Sequence, residues 1–136
     1  MKQLVLAALI CAVWWMPAQS SDHAPSIRSV ISQQIEAFKA DDLTGAFRFA
    51  SNDIRRMFRT PERFGHMVEH GYPMVYRPSA VWFLDLRERD GVLWQRVEIQ
   101  DKAGSFHILA YEMVETPEGW KIDGVSYLGK GPGMGA

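Results

Sequence analysis

Cysteine is nearly missing from this chain of 136 residues, which contains a single one, Cys11. One cysteine cannot form a disulfide within the chain. It also excludes the clusters of cysteines that hold structural zinc. The fold must therefore be stabilised by its apolar core, in an oxidising or a reducing compartment alike.

The chain also lacks a long apolar run and an excess of charge of either sign. Its apolar stretch at residues 4–15 has roughly 12 residues, against about 20 for a membrane-spanning helix. The formal net charge is −1 at pH 7, which argues against strong binding to nucleic acid or to anionic lipid. No glycine-rich phosphate loop and no nucleophile-elbow serine is found, so we expect no cofactor.

The first 20 residues, MKQLVLAALICAVWWMPAQS, have the pattern of a cleaved secretory signal peptide. Lys2 provides the positive start, residues 4–15 form the apolar segment, and small residues follow at the spacing that signal peptidase recognises. We therefore expect cleavage after Ser20, loss of Cys11 and export to the periplasm or the extracellular space. Retention of this segment as an uncleaved N-terminal anchor stays open.

The pattern from residue 21 to residue 128 predicts one α+β domain, followed by a flexible tail at 129–136. Apolar residues recur at helical spacing from Ser26 to Ala40, and further helical segments follow. Thr60-Pro61-Glu62 is typical of a helix start, and Gly71 of a helix end.

Four stretches rich in β-branched and aromatic residues follow and are separated by turn patterns such as Asp90-Gly91. They predict strands at residues 79–87, 92–100, 105–115 and 120–128. Helices followed by a meander of strands indicate N-terminal helices packed on one face of a curved antiparallel sheet of about four strands.

The first predicted strand, SAVWFLDLR, carries apolar residues on both faces. Strict alternation places Leu86 with Trp82 on one face, and Asp85 with Phe83 and Arg87 on the other. A sheet covered on one side should carry polar residues on its second side. Two interpretations stay open: a curled sheet that encloses a pocket, or a second face buried in a homodimer.

Residues 66–70, HMVEH, match the H-x-x-E-H signature of inverted zinc peptidases. On a helical wheel His66, Glu69 and His70 share one side. The opposite side carries three apolar residues that we assign to the core: Phe64, Met67 and Val68. A catalytic zinc needs a third protein ligand, and nothing brings one over this side of the helix. We therefore assign no metal to His66 and His70, and predict that they form the solvent side and C-terminal end of a helix.

Asp85 is an acid in an otherwise apolar strand and permits two interpretations. In an apolar cavity it could act as a general base, with Tyr111 as the hydroxyl donor of an isomerase or a dehydratase. On the sheet surface it would instead pair with Arg87 or Arg96. Strand register cannot be fixed from alternation when both faces are apolar, so both interpretations stay open.

Aromatic residues are the candidates for lining a ligand pocket, although most such residues form ordinary core. The six candidates are Phe64, Tyr72, Trp82, Trp94, Tyr111 and Trp120.

Several stretches together resemble the bacterial family known as domain of unknown function 4864. They are QQIEAFKADD, AFRFAS, FGHMVEHGYP, VLWQRV, AYEM and GWKIDGV. The resemblance covers residues 27–128 and implies an NTF2-like, cystatin-type cone fold, in which helices pack into the concave side of a bent sheet. Such folds host isomerases, dehydratases, ligand carriers and dimerisation modules, so the resemblance selects no function.

We therefore expect an exported, non-catalytic NTF2-like domain that binds a small apolar ligand or a protein partner between helices and sheet. Two alternatives stay open: an isomerase- or dehydratase-type enzyme that uses Asp85 and a tyrosine, and a purely structural dimerisation module. We expect no nucleic-acid partner, and no stable membrane insertion once the signal segment is removed.

Overall fold

Helices precede strands throughout the part of the chain that the structure, a computed structural model, describes: residues 20–133. The helices are α1 (Ser20–Lys39), α2 (Leu43–Arg48), α3 (Asn52–Phe58), α4 (Pro61–Gly71) and α5 (Pro73–Tyr76). The strands are β1 (Ala80–Arg89), β2 (Val92–Gln100), β3 (Phe106–Thr116) and β4 (Gly119–Lys130). The prediction of an α+β fold, with helices packed on a curved antiparallel sheet of four strands, is confirmed.

Short polar side chains determine where three of the helices begin. Asp42, Ser51 and Thr60 each accept a hydrogen bond from the backbone N–H three residues later, at 2.9 to 3.2 Å. These bonds satisfy N–H groups that have no partner inside the helix. Pro61 occupies the first turn of α4, where a missing N–H costs nothing, and Gly71 ends the helix as predicted.

Helix α1 begins earlier than the sequence pattern indicates. The pattern places Pro25 outside the helix and Ser26 at its cap, whereas Pro25 lies inside α1. The first turns gain a contact with the sheet, because the ring of His23 lies 5.1 Å from the ring of Trp120 on β4. A contact between such distant residues leaves no trace in the local pattern. The predicted signal peptide, residues 1–20, lies outside the described residues except for Ser20.

The strands follow one another in space as they do in sequence, β1-β2-β3-β4, and all neighbours are antiparallel. Asp90 and Gly91, with φ of 52° and 79°, form the tight turn between β1 and β2. A bulge between Phe83 and Leu86 interrupts the alternation of β1. It moves Leu86 onto the core side with Phe83, and places Asp85 on the opposite face. Strict alternation was therefore wrong for these two positions.

The hydrophobic core lies between α1 and one face of the sheet, which we call the inner face. Helix α1 contributes residues at a spacing of four, each at most 3% exposed: Ile27, Ile31 and Ile35. The inner face contributes alternate residues of β2 and β3: Val97, Ile99, Leu109, Tyr111 and Met113. The second face, which we call the outer face, carries residues that lie outside this core, among them Trp82, Trp94, Phe106 and Ile108.

The two edges of the sheet differ in how they are covered. At β4, the N–H of Ser51 donates to the carbonyl of Ile122, and the N–H of Ile122 donates to the carbonyl of Phe49, both at 2.8 Å. The segment between α2 and α3 thereby continues the sheet beyond β4. The edge at β1 ends in an exposed run of charged residues, 87–89.

Strand β4 runs to Lys130, so residues 129 and 130 belong to the sheet and not to the predicted tail. The next residues also contact the sheet: the N–H of Gly133 lies 3.3 Å from the carboxylate of Glu98, which is 1% exposed. A side chain at Gly131 would collide with the same carboxylate. Glycine at this position therefore permits the chain to cross the outer face closely. Within residues 20–133, no helix has both the length and the apolar character needed to cross a membrane.

Candidate functional site

An apolar pocket of about 260 Å³ lies among α1, α3, α4 and β4. Its principal lining residues come from all four elements: Phe38, Ile54, Met57, Phe58, Phe64, Met67, Val68, Ile122 and Val125. Helices α3 and α4 enclose it because Arg59, with a φ of 71°, turns the chain sharply between them. The amphipathic faces of two short helices are thereby directed into one space.

Phe64 is the central anchor of this pocket. It is 6% exposed, and its ring lies 5.9 Å from that of Phe38, 5.5 Å from that of Phe47 and 5.8 Å from that of Phe58. These separations are typical of favourable aromatic pairs. Phe64 therefore fixes the position of α4 against α1, α2 and α3 at once.

Two polar side chains line the pocket, and both are tied to backbone carbonyls. Gln34 is 3% exposed, and its Nε2 donates to the carbonyl of Ala46 at 3.1 Å. The hydroxyl of Tyr72 donates to the carbonyl of Val125 at 3.1 Å. Because the Tyr72 hydroxyl proton is engaged, this oxygen offers a ligand its acceptor capacity. The pocket is therefore suited to apolar contact with few directional bonds.

Met57 lies at the pocket and is the most exposed large apolar side chain among the described residues, at 68%. Methionine has a flexible, polarizable side chain that adapts to ligands of different shape. Its position on α3 lets it move without disturbing the core, because α3 has no fully buried residue.

The structure brings two of the six predicted pocket residues, Phe64 and Tyr72, into this pocket. Trp82 lies on the outer face, with its ring 5.8 Å from that of Phe106, and Trp94 lines an open groove on the same face. Trp120 packs against α1. These three tryptophans therefore lie outside the pocket, two on the outer face of the sheet and one against α1.

Asp85 and Tyr111, the two residues of the isomerase-type hypothesis, point to opposite faces of the sheet. On the outer face, Oδ1 of Asp85 accepts a hydrogen bond from Nε of Arg96 at 2.6 Å, and Oδ2 accepts one from Arg87. Burial alone would raise the pKa of Asp85, but these two bonds outweigh it and hold the pKa below its ordinary value. Asp85 is therefore an ion-paired surface acid.

Tyr111 is fully buried in the core, and its hydroxyl has no hydrogen-bond partner within residues 20–133. Burial raises the pKa of Tyr111 well above its ordinary value. This side chain therefore stays protonated, and the structure does not bring it together with Asp85.

His66, Glu69 and His70 are exposed on α4, while Phe64 and Val68 are buried, so the predicted orientation of this helix is confirmed. The two imidazole rings lie 4.2 Å apart. Within residues 20–133, no group of three or more histidine, cysteine, aspartate or glutamate side chains is arranged to hold a metal ion.

Several pocket residues were not among the predicted candidates, notably Ile54, Phe58 and Val125. Ile54 and Phe58 are four residues apart on one helix, which is the signal of a shared apolar face. This spacing was visible in the sequence. What it could not show is that the face borders an open space, since that depends on how α3 and α4 meet.

One family model matches residues 20–132 of the chain, and its description is Domain of unknown function (DUF4864). The match begins with α1 and extends beyond β4, so it covers every described helix and strand. No curated protein and no solved structure matches the chain significantly.

Proposed function

The chain belongs to the DUF4864 family, and we propose that it binds a small apolar molecule in the pocket among α1, α3, α4 and β4. The observation that carries this proposal is the pocket itself, with its apolar walls and internally bonded polar groups. No acidic, basic or histidine side chain is found among its lining residues. This composition favours binding without chemistry inside the pocket.

The volume limits the size of the ligand. A cavity of about 150 Å³ accepts benzene, and pockets for drug-sized ligands begin near 300 Å³. At about 260 Å³, the pocket suits a substituted single ring or a short acyl chain. Because few directional bonds are available, we expect weak binding, with a Kd of about 10 μM to 1 mM. This corresponds to a binding free energy of roughly 4–7 kcal/mol in favour of the complex.

Binding can be tested by titrating the mature protein with a panel of benzene, p-cresol and hexanoate, followed by NMR chemical shifts of backbone amides. We expect saturable shifts that concentrate on α3, α4 and β4. Ile54→Trp should abolish them, because the added ring occupies the pocket. Val30→Trp is the matched control: it makes the same kind of exchange at a half-buried residue of α1 that does not line the pocket.

Shifts that are scattered over the surface, or that persist unchanged in Ile54→Trp, would contradict the proposal. Trp82, Trp94 and Trp120 lie outside the pocket, so intrinsic fluorescence is a poor reporter. NMR avoids this difficulty because it observes the pocket residues directly.

A second candidate function is self-association through the outer face. An open groove there combines apolar Trp94 and Leu128 with charged residues of both signs, including Arg89 and Asp90. Leu128 is 53% exposed, and alternating charges can pair across a two-fold axis. We expect a dimer in sedimentation velocity at micromolar concentration. Leu128→Asp should dissociate it, whereas Met57→Asp, at another exposed apolar residue outside the groove, should not.

We further propose that the protein acts outside the cytoplasm, on the basis of residues 1–20. Cell fractionation of the full-length chain, followed by N-terminal sequencing, tests this. Recovery of a mature chain that begins at Ser21 supports export with cleavage, and an intact Met1 in the cytoplasmic fraction contradicts it.

A further inference from the structure

Three polar side chains form a hydrogen-bonded series that shares no residue with the apolar pocket. His107 of β3 is 6% exposed. Its Nε2 lies 2.7 Å from Oδ2 of Asp101, and its Nδ1 lies 2.9 Å from the hydroxyl of Tyr127. Tyr127 is 46% exposed, so the series leads from a buried imidazole to the molecular surface.

The positions of the protons in this series follow from the partners. Oδ1 of Asp101 also accepts backbone hydrogen bonds from Ala103 at 3.0 Å and Ser105 at 2.9 Å. The hydrogen bond from His107, together with these two, holds the pKa of Asp101 below its ordinary value. Asp101 is therefore an acceptor, and Nε2 of His107 carries a proton.

A neutral imidazole with its proton on Nε2 has a lone pair on Nδ1. In this tautomer the hydroxyl of Tyr127, 2.9 Å away, donates to the Nδ1 lone pair. Carboxylate, imidazole and hydroxyl thus follow one another in the order found in hydrolytic triads, with a phenol in place of the usual alcohol.

We propose that Asp101, His107 and Tyr127 form a proton relay that makes the Tyr127 phenol a nucleophile toward small activated acyl groups. The phenolic oxygen forms a bond to the acyl carbon, and the leaving group departs with the electron pair of the bond that breaks. The phenolic proton passes to Nδ1 of His107 and then to the leaving group. Asp101 stabilises the imidazolium that exists between these two proton transfers. The products are an acylated Tyr127 and the protonated leaving group.

The buried end of the relay borders an open space, while Tyr127 lies outside the lining of that space, on the exposed side of the relay. Asp101 and His107 line a second pocket of about 490 Å³. Its other charged groups are Glu69 of α4, Arg77 after α5 and Lys102 in the β2–β3 turn. On β4, Lys130 is paired with His107 in the sheet. Arg77 is ion-paired with Asp41. Lys130, on the strand that also carries Tyr127, is the cation placed to favour negative charge on the acyl oxygen during attack.

Acetylation by N-acetylimidazole, with site-resolved mass spectrometry, tests the proposal on the mature protein. Tyr76 is the internal control, because its hydroxyl lies 3.4 Å from a carboxylate oxygen of Asp41 and no imidazole contacts it among the described hydrogen bonds. General-base assistance typically raises a reaction rate about 10²-fold or more. We therefore expect Tyr127 to be acetylated at least about tenfold faster than Tyr76. In urea-unfolded protein the two rates should become equal.

His107→Gln should reduce the Tyr127 rate to the level of Tyr76 and leave the Tyr76 rate unchanged. A merely structural histidine would leave the ratio of the two rates unchanged. Equal rates at Tyr127 and Tyr76 in the native protein, or an unchanged Tyr127 rate in the variant, would overturn the proposal. If the variant does not fold, Asp101→Asn decides instead: loss of the carboxylate that holds the imidazole should lower the ratio of the Tyr127 rate to the Tyr76 rate, and an unchanged ratio would overturn the proposal.

Discussion

Replacing Phe64 with alanine tests whether one side chain anchors the helices around the apolar pocket. Phe64 is 6% exposed and lies within 5.9 Å of three other phenylalanine rings, measured between ring centres. The substitution removes the ring from the point where α4 meets α1, α2 and α3. The existing pocket would merge with the space that the ring leaves.

The expected cost can be estimated from this environment. Truncation of a buried phenylalanine to alanine costs about 3–5 kcal/mol, of which part is the energy of the cavity left behind. Three aromatic contacts are lost together, and the enlarged space cannot close without moving α3. We therefore expect about 4 kcal/mol, a large share of the roughly 5–15 kcal/mol that stabilises a typical domain. This corresponds to a decrease in Tm of roughly 15 °C.

Urea unfolding followed by far-UV circular dichroism provides the measurement. Phe58→Ala is the matched control, because Phe58 is half-buried and forms an aromatic pair with Phe64. We expect that variant to lose about 1–2 kcal/mol. A loss below about 2 kcal/mol for Phe64→Ala, or equal losses for the two variants, would refute the anchoring role.

Three further substitutions have defined outcomes. Asp85→Asn should cost at most about 1 kcal/mol at pH 7, because its ion pairs are partly exposed. The pKa of Asp85 is lower in the folded than in the unfolded protein. Its ion pairs therefore stabilise the folded state fully above the unfolded pKa, and this stabilisation is lost as pH falls through the folded pKa. Midpoints of urea unfolding measured across acidic pH check this. Ser51→Ala should cost about 1–2 kcal/mol in urea unfolding, since it removes the α3 cap and the 2.6 Å bond to Asp123. His66→Ala combined with His70→Ala should change Tm by about 2 °C or less, because both side chains are exposed.

Much of the fold could be predicted from local patterns. The strand predicted at residues 92–100 coincides with β2, and the Thr60-Pro61 start and Gly71 end of α4 agree with the structure. These boundaries depend on turn and capping residues, whose preferences act over a few neighbouring positions. The early start of α1 escaped prediction because it depends on the packing of His23 against Trp120.

The candidate site was less predictable, because it depends on which face of the sheet a residue occupies. The β1 bulge transfers Leu86 to the inner face, and no residue in the strand marks the bulge clearly. Without knowing the strand register that this bulge sets, the sequence could not show on which face of the sheet Asp85 lies. His107 illustrates the same limit: its burial is accompanied by hydrogen bonds to Asp101 and Tyr127, which lie outside its own strand.

The coverage of the two sheet edges has a consequence for the behaviour of this protein at high concentration. An uncovered strand edge recruits strands of other molecules and can begin aggregation. Here the segment that joins α2 to α3 occupies part of the β4 edge through Ser51 and Ile122. The charged run at residues 87–89 would bring like charges together if two β1 edges met in register. An open four-stranded sheet can thus limit edge-to-edge pairing between molecules without closing into a barrel.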